Sequence, residues 1–288
     1  MFNLKIGYFI IGLTTGLLLL FNFLGTLPDG KLHIVFCNVG QGDAAYIRFP
    51  DGRDMLVDGG PNNSVLQCLG RHMPFWDRTI DIVVLTHPEN DHMQGLLSVL
   101  ERYTIGYFVR SDAENVTDGY TKLMEIVKTR AIKQKRVLNG EKISIDQVVL
   151  DVFGPSSDIL GASTADINDA SVVFWLRYGN FDALFPGDAP LRPDFAKAST
   201  GRQDYVGQAV GDAEVLKFPH HGSKTGFNKD YLDLLKPKIT VISVGKNSFG
   251  HPTKEILSAL ADLHTQVLRT DQEGDIEIVS DGKGWKVQ

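Results

Sequence analysis

The stretch Asp81-Ile82-Val83-Val84-Leu85-Thr86 runs without a break into His87-Pro88-Glu89-Asn90-Asp91-His92. A short apolar, β-branched run of this kind reads as a strand buried on both faces, so it belongs inside a covered sheet. Met93, Leu96, Leu97 and Leu100 then recur at helical spacing and predict a helix over His92–Arg102. His87, Glu89, Asp91 and His92 therefore crowd onto one strand-to-helix loop. Alternate residues of such a loop face the same way, so His87 and Glu89 can share one metal ion, and the next turn brings Asp91 and His92 to a second. Two imidazoles and two carboxylates this close are costly unless cations offset their charge. They are also ordinary ligands of divalent metals.

Three further clusters follow strand-like segments. Phe185-Pro186-Gly187-Asp188 ends a strand in Gly-Asp. An aspartate there can bridge two cations with its two oxygens, although alone it would read as a turn residue. Lys217-Phe218-Pro219-His220-His221-Gly222-Ser223 closes another strand with adjacent histidines. Their side chains diverge, so one of His220 and His221 is a candidate ligand and the other a substrate contact or a support for the ligands. Asn247-Ser248-Phe249-Gly250-His251-Pro252 sets His251 between a strand and a helix. There it can donate a proton, stabilise an oxyanion, or only cap and pack.

The remaining pattern predicts strands at His33–Val39, Ala44–Phe49, Met55–Asp58, Ile105–Val109, Gln147–Phe153, Ser171–Tyr178, Phe181–Pro186, Glu214–Phe218, Thr240–Val244 and Asp275–Val279. It predicts further helices at Thr117–Lys135, Lys229–Leu235 and Thr253–Leu263. Strands outnumber helices, and the helices fall between groups of strands, which suggests two packed sheets with helices outside. Residues 190–212 are polar and mixed and read as a surface insertion.

From Ile6 to Leu27 the chain carries no charged side chain. Roughly 20 apolar residues cross a bilayer as a helix. With Lys5 leading and Pro28-Asp29-Gly30 stopping the run, residues 1–30 are expected to be a membrane anchor that leaves the rest outside the cytoplasm. A cleaved signal peptide, with secretion, and a buried core helix are the alternatives. The run is longer than the about 7–15 residues of a signal core, and no A-x-A site precedes Pro28.

The net charge of −6 argues against a broad electrostatic grip on nucleic acid, though not against a local basic groove. Lys122, Lys128, Arg130, Lys133, Lys135 and Arg136 form a basic patch around residues 117–135, better read as a solvated helix face than as a phosphate contact. Cys37 and Cys68 show no C-x-x-C pattern and set neither a disulfide framework nor a structural zinc site.

Val39-Gly40-Gln41-Gly42-Asp43, Val57-Asp58-Gly59-Gly60, the His87–His92 run, Gly187-Asp188, His220-His221-Gly222-Ser223 and Gly250-His251-Pro252 together resemble the motifs of the metallo-β-lactamase superfamily. More narrowly, the chain resembles the soluble hydrolase domain of ComEC-type competence proteins, which take up DNA across bacterial membranes. The resemblance covers about residues 31–288, including Thr270-Asp271-Gln272-Glu273-Gly274-Asp275-Ile276.

The resemblance implies an α/β (α+β) fold: a four-layer αββα sandwich over residues 31–288, with metals at one edge and the hydrophobic helix in front. It implies a hydrolase of the phosphodiesterase or nuclease type, with two divalent metal ions, Zn or Mn, and a metal-bound hydroxide. Carried over by motif, His87 and Glu89 serve one metal. Asp91, His92 and one of His220 and His221 serve the other, with Asp188 bridging. Asp91 also orients the attacking water, and His251 is the candidate acid or oxyanion donor. Asp58 would hold a ligand in place, and Asp43, Ser223 and Asn247 are further candidate supports.

The chain also departs from the family pattern. Glu89 replaces the middle histidine, and the histidine usual before Gly-Asp is missing, leaving Asn168 or Asp169 to substitute. Asn38 stands where the ComEC-like branch often has Asp. Oxygen-rich ligation favours Mn²⁺ or Mg²⁺ relative to all-nitrogen sites, while carboxylate-bound zinc is also ordinary. The expected partners are a phosphoester, with DNA one candidate, and a membrane reached through the N-terminal helix. The same centre would serve a lactone, β-lactam, thioester or phosphocholine ester. The non-enzymatic alternative is a membrane-anchored binding domain with a degenerate site.

Overall fold

Period-two burial along the strands builds two sheets whose apolar faces meet. The structure, a computed structural model, describes residues 4–25, 27–161, 166–191 and 213–288. Strands β1 (Leu32–Phe36), β2 (Ala45–Arg48), β3 (Asp54–Val57), β4 (Thr79–Leu85), β5 (Thr104–Arg110) and β6 (Lys133–Arg136) lie side by side in that order. On the other side of β1, β14 (Ile276–Ser280) and β15 (Trp285–Val287) complete the first sheet. The second sheet runs β13 (Gln266–Arg269), β12 (Ile239–Ile242), β11 (Val215–Lys217), β10 (Phe181–Phe185), β9 (Val173–Tyr178), β8 (Val148–Gly154) and β7 (Lys142–Ile145).

Leu32, Ile34 and Phe36 of β1 face the second sheet in a common core with Phe174, Leu176 and Phe185. Phe36 and Phe174 both stack on Phe185, with centroids 5.7 and 4.9 Å away. The opposite face of the first sheet, with Val35, Tyr46 and Leu56, packs under α2 (Ser64–His72), α3 (Asn90–Arg102) and α4 (Asp118–Thr129). Helices α6 (Lys229–Leu235) and α7 (Lys254–Asp262) cover the second sheet. The short α5 (Ser157–Gly161) and α8 (Thr270–Glu273) complete the described helices beside α1 (Leu4–Gly25). The layers are helix, sheet, sheet, helix, as the motifs imply.

Helix α3 is placed by two glycines. Its first turn lies so close to the Asp58-Gly59-Gly60 turn that a Cβ on Gly95 would sit 2.0 Å from the Gly59 carbonyl oxygen. The Gly59 amide donates to the His92 carbonyl at 2.6 Å, and the Gly95 amide to that of Gly60 at 2.9 Å. Any side chain at either position would push the ligand-bearing turn off the sheet.

Four expectations need correction. The helix expected over Thr117–Lys135 stops at Thr129; Ala131 takes a left-handed φ of 51°, and Lys133–Arg136 becomes the edge strand β6. The basic patch is thereby divided: Lys135 pairs with Glu141, Arg136 with Asp112, and Lys133 lies over the Tyr107 ring. The sequence reading also missed α2, and it treated Cys37 and Cys68 as unrelated. In the fold they form a disulfide, their Cα atoms 5.8 Å apart, because the buried side of α2 lies across the chain leaving β1. At the N-terminus a helix does form over Leu4–Gly25, with exposed side chains such as Phe9, Leu18 and Phe21. Among the described residues, however, no helix is long and apolar enough to cross a membrane. Most of the insertion expected at 190–212 lies outside the described residues.

The bridge closes a loop between residues 31 apart in sequence, for which loop-closure entropy suggests roughly 3–4 kcal/mol. The double variant Cys37→Ala/Cys68→Ala should therefore lose about 2–4 kcal/mol in chemical denaturation. Protein isolated from an oxidising compartment should resist alkylation until reduced; labelling of both thiols in unfolded, unreduced protein would rule the bridge out.

Candidate metal centre

Several strands deliver their C-terminal ends to the same edge of the interface between the sheets. β3 and β4 run parallel, with Val57 opposite Val84, so Asp58 emerges beside Thr86. β10, β11 and β12 also run parallel and carry the loops of Asp188, of His220 and His221, and of Ser243. The parallel arrangement explains why motifs far apart in sequence converge.

Asp58 is a hub rather than a ligand. It accepts from the Thr86 amide at 2.8 Å, the Thr86 hydroxyl at 2.7 Å and His92 Nδ1 at 2.8 Å. With its proton on Nδ1, His92 turns the Nε2 lone pair into the site, 3.3 Å from Asp188 Oδ2. His221 is fixed the same way. Its Nδ1 donates to the Ser243 carbonyl at 2.9 Å, and its Nε2 lies 3.1 Å from Asp91 Oδ2 and 3.6 Å from Asp188 Oδ2.

Asp91, His92, Asp188 and His221 each offer one ligand atom, and these atoms all lie within 4.8 Å of one another. His92 Nε2 and Asp188 Oδ2 are buried without a hydrogen-bond partner. Unpaired buried acceptors are costly, and a cation set among them would satisfy both. Two imidazole nitrogens and two carboxylates suit zinc or manganese alike.

The neighbouring histidine is turned elsewhere. His220 directs Nδ1 to the Thr225 hydroxyl at 2.9 Å, while its backbone amide donates to Asp188 Oδ1 at 3.0 Å. Both histidines adopt left-handed backbone, with φ of 48° and 54°. That conformation costs of order 1–3 kcal/mol per residue, and here it aims one imidazole inward and one outward.

His87 is buried and its Nε2 is also unpaired, 3.6 Å from Glu89 Oε2. Glu89 is more exposed, and neither residue joins the four-atom group. Asn168 carries a buried unpaired Oδ1 on the 3-10 turn Ile167–Ala170, which also bears Asp169. The His87 ring lies 4.1 Å from that of His92, yet among the described residues His87 and Glu89 enter no group of three whose ligand atoms all lie within 4.8 Å of one another. Ser223 accepts the Thr225 amide on a turn, and Asn247 braces the loop that carries His251.

Lys217 was quoted in the sequence reading only as part of the histidine motif. It lies on a strand buried throughout, and its ammonium reaches Asp43, Asp188 Oδ1 at 3.4 Å and the Gly187 carbonyl at 3.2 Å. The signal was present in Val215-Leu216-Lys217-Phe218: a charge in an apolar strand must find a partner. With Lys217 and the His220 amide on Oδ1, Asp188 turns Oδ2 alone toward the ligand atoms.

Electrostatics follow from this packing. Burial opposes charge on each group, but opposite charges prevail. Asp188 and Asp58 raise the His92 imidazole well above its ordinary range, and Asp188 and Asp43 push His221 up to about 10. Asp91 is held below the usual carboxylate range by its hydrogen bond from His221 and the charge of His92. Lys217 is raised by Asp43 and Asp188, and Asp43 is lowered mainly by Lys217. A divalent ion would displace the imidazole protons and take over their role.

Two outcomes are expected. Asp188→Ala should leave little metal by elemental analysis, and full metal content would exclude its oxygen as a ligand. Lys217→Met strands Asp43 without its cation and should cost about 3–5 kcal/mol. Adding Asp43→Asn should recover much of that loss in denaturation of the metal-free protein; no recovery would show that the pair is not coupled.

The pattern of the metallo-beta-lactamase superfamily matches residues 37–246. ComE operon protein 3 of Bacillus subtilis is 26% identical over 282 residues, covering 91% of this chain and 34% of that protein. Competence protein ComA of Neisseria gonorrhoeae is 24% identical over 269 residues, covering 91% and 34%. The chain thus spans about a third of the length of these relatives. Among solved structures, the metallo-beta-lactamase fold protein YhfI from Bacillus subtilis aligns with a TM-score of 0.55 at 12% identity, over 85% of this chain and 99% of that one. Zn(2+)-bound PqqB from Methylobacterium extorquens gives 0.56 at 14%, over 82% and 97%. With the matched region covering well over half of its length, this chain belongs to the metallo-beta-lactamase superfamily.

Proposed function

We propose that the chain is a metal-dependent phosphodiesterase. The observation that carries this reading is the convergence of four ligand atoms, from Asp91, His92, Asp188 and His221, within 4.8 Å of one another. Two further features support the substrate class. Carboxylate-rich ligation suits hard cations that also bind phosphate oxygens. Relatives named for competence and recombination bring nucleic acid forward as substrate.

Asp91, His92, Asp188 and His221 would hold a divalent ion, which would supply Lewis acidity and a hydroxide-like nucleophile near neutral pH. The chain's own residues do the rest. Asp91 is partly exposed and ionised, so it can accept a hydrogen bond from a water entering the site and orient it. His251 stands at the mouth with Nδ1 unpaired and its ring 6.0 Å from that of His220. Burial and the charges of His220 and His221 lower its pKa, so near neutral pH it meets a developing oxyanion as a neutral donor.

We further propose that the protein is membrane-associated, with its hydrolase domain outside the cytoplasm. Exposed apolar side chains along α1 continue into Phe75 and Trp76, and the Phe23 ring lies 6.0 Å from that of Trp76. The Cys37–Cys68 disulfide belongs to an oxidising compartment. Thiol labelling in intact cells tests that placement.

A second reading, a binding domain with a degenerate site, is favoured by one observation: His87 and Glu89 enter no such ligand group among the described residues. Metal content followed by assay on bis-p-nitrophenyl phosphate and a lactone panel separates the readings. The phosphodiesterase should bind metal, cleave the diester and lose activity to a chelator. Cleavage of lactones alone, or of nothing, would overturn it.

His251→Ala should keep its metal and lose about 10²–10³-fold in turnover on an alkyl phosphodiester, as for loss of one oxyanion donor. The loss should be smaller with a nitrophenolate leaving group, which needs little help. Full activity on the alkyl diester would make His251 a packing residue.

A further inference from the structure

The loop after β12 carries an aromatic side chain that packing does not explain. Phe249 is 71% exposed. Single exposed apolar residues are ordinary, but this one is held in place. Asn247 makes four hydrogen bonds within its own loop. Its Nδ2 donates to the carbonyls of Gly245 and His251, both at 2.8 Å. Its Oδ1 accepts from the amides of Phe249 at 3.1 Å and His251 at 3.0 Å. The Thr253 amide donates to the Gly222 carbonyl at 3.1 Å, which ties the loop to the histidine turn.

The Phe249 ring also joins a chain of neighbouring rings that reaches the metal centre. Its centroid is 5.7 Å from that of His251, at 28° between planes. His251 lies 6.0 Å from His220, His220 lies 6.1 Å from His221, and His221 lies 5.7 Å from His92. A row of rings thus leads from the ligand group to solvent and ends on Phe249. Three residues earlier in the chain, Lys246 is exposed and makes no ion pair among the described residues.

We propose that Phe249 is a stacking platform for the nucleobase next to the scissile phosphodiester, with Lys246 taking a flanking phosphate. The inference rests on the phosphodiesterase reading above and narrows its substrate to single-stranded nucleic acid. Every base offers a π-face once unstacked, whereas duplex bases are already stacked on one another. An aromatic ring on a braced loop receives such a face with little ordering cost.

The test is fluorescence anisotropy of a labelled oligothymidylate, an abasic strand of equal length and a duplex, each with the metal-loaded protein. Phe249→Ala should weaken oligothymidylate binding about 5- to 100-fold, and Phe249→Trp should restore it. Binding of the abasic strand should be alike in wild type and Phe249→Ala, and the duplex should bind more weakly than the single strand. Equal losses on both single strands, or no loss on oligothymidylate, would overturn the platform. Unchanged thermal unfolding of Phe249→Ala serves as the folding control. Hydrolysis is scored separately. A wild type that cleaves bis-p-nitrophenyl phosphate but binds both single strands equally retains the phosphodiesterase reading and loses the platform. A wild type that shows the Phe249-dependent preference but cleaves no diester retains the platform as a binding site and loses the phosphodiesterase.

Discussion

Asp43, Asp58, Asp91 and Asp188 meet at one end of the space between the sheets, three of them almost fully buried and the fourth partly so. So many carboxylates stay together only if each is answered by a donor or a cation. Asp58 is answered by Thr86 and His92, Asp43 by Lys217, Asp188 by Lys217 and the His220 amide, and Asp91 by His221. One ammonium cannot balance four carboxylates. The histidines must carry protons, or a metal ion must take their place, and this alternative links the stability of the edge to its chemistry.

The scaffold that sustains this concentration of charge is simple. Parallel strands end at the same level, and each ending releases one or two polar residues into the same volume. Helix α3 is pulled against the sheet by the approach at Gly59 and Gly95, which fixes the direction of His92. His92 and His221 are then oriented by an oxygen on their far nitrogen, a carboxylate for one and a backbone carbonyl for the other. The directions of the inward nitrogens are thus set by packing and by these hydrogen bonds.

Contiguity explains much of what could be read from the sequence. The run from His87 to His92 is legible because its residues share one loop, and the alternation of the strands reveals the layered fold. The choice between His220 and His221 was not legible, because it depends on left-handed backbone and on the Ser243 carbonyl across the sheet. The Cys37–Cys68 bridge was hidden for the same reason: it needs α2 laid across the sheet. Lys217 looked like part of a motif until its burial showed that it must be paired. The helix over residues 117–135 was overextended because Lys133–Arg136 has no apolar face, and only its place beside β5 makes it a strand. The long apolar N-terminal run gave its helix correctly, but an apolar run alone did not establish a membrane span.

Strand β6 has a further consequence. Among the described residues it is the last strand of the first sheet, and its outer backbone groups face no described neighbour within that sheet. An open edge of this kind invites a strand from another molecule. Lys133, Lys135 and Arg136 place three cations along four residues of that edge. Two copies approaching through it would bring like charges together at strand spacing, a repulsion that the Lys135–Glu141 and Arg136–Asp112 pairs offset only in part. That protection matters most during folding. The parallel pairs from β3 to β6 join segments distant in sequence, and such sheets assemble slowly with their margins exposed. A charged margin of this kind would help to keep unfinished chains apart until the two sheets close.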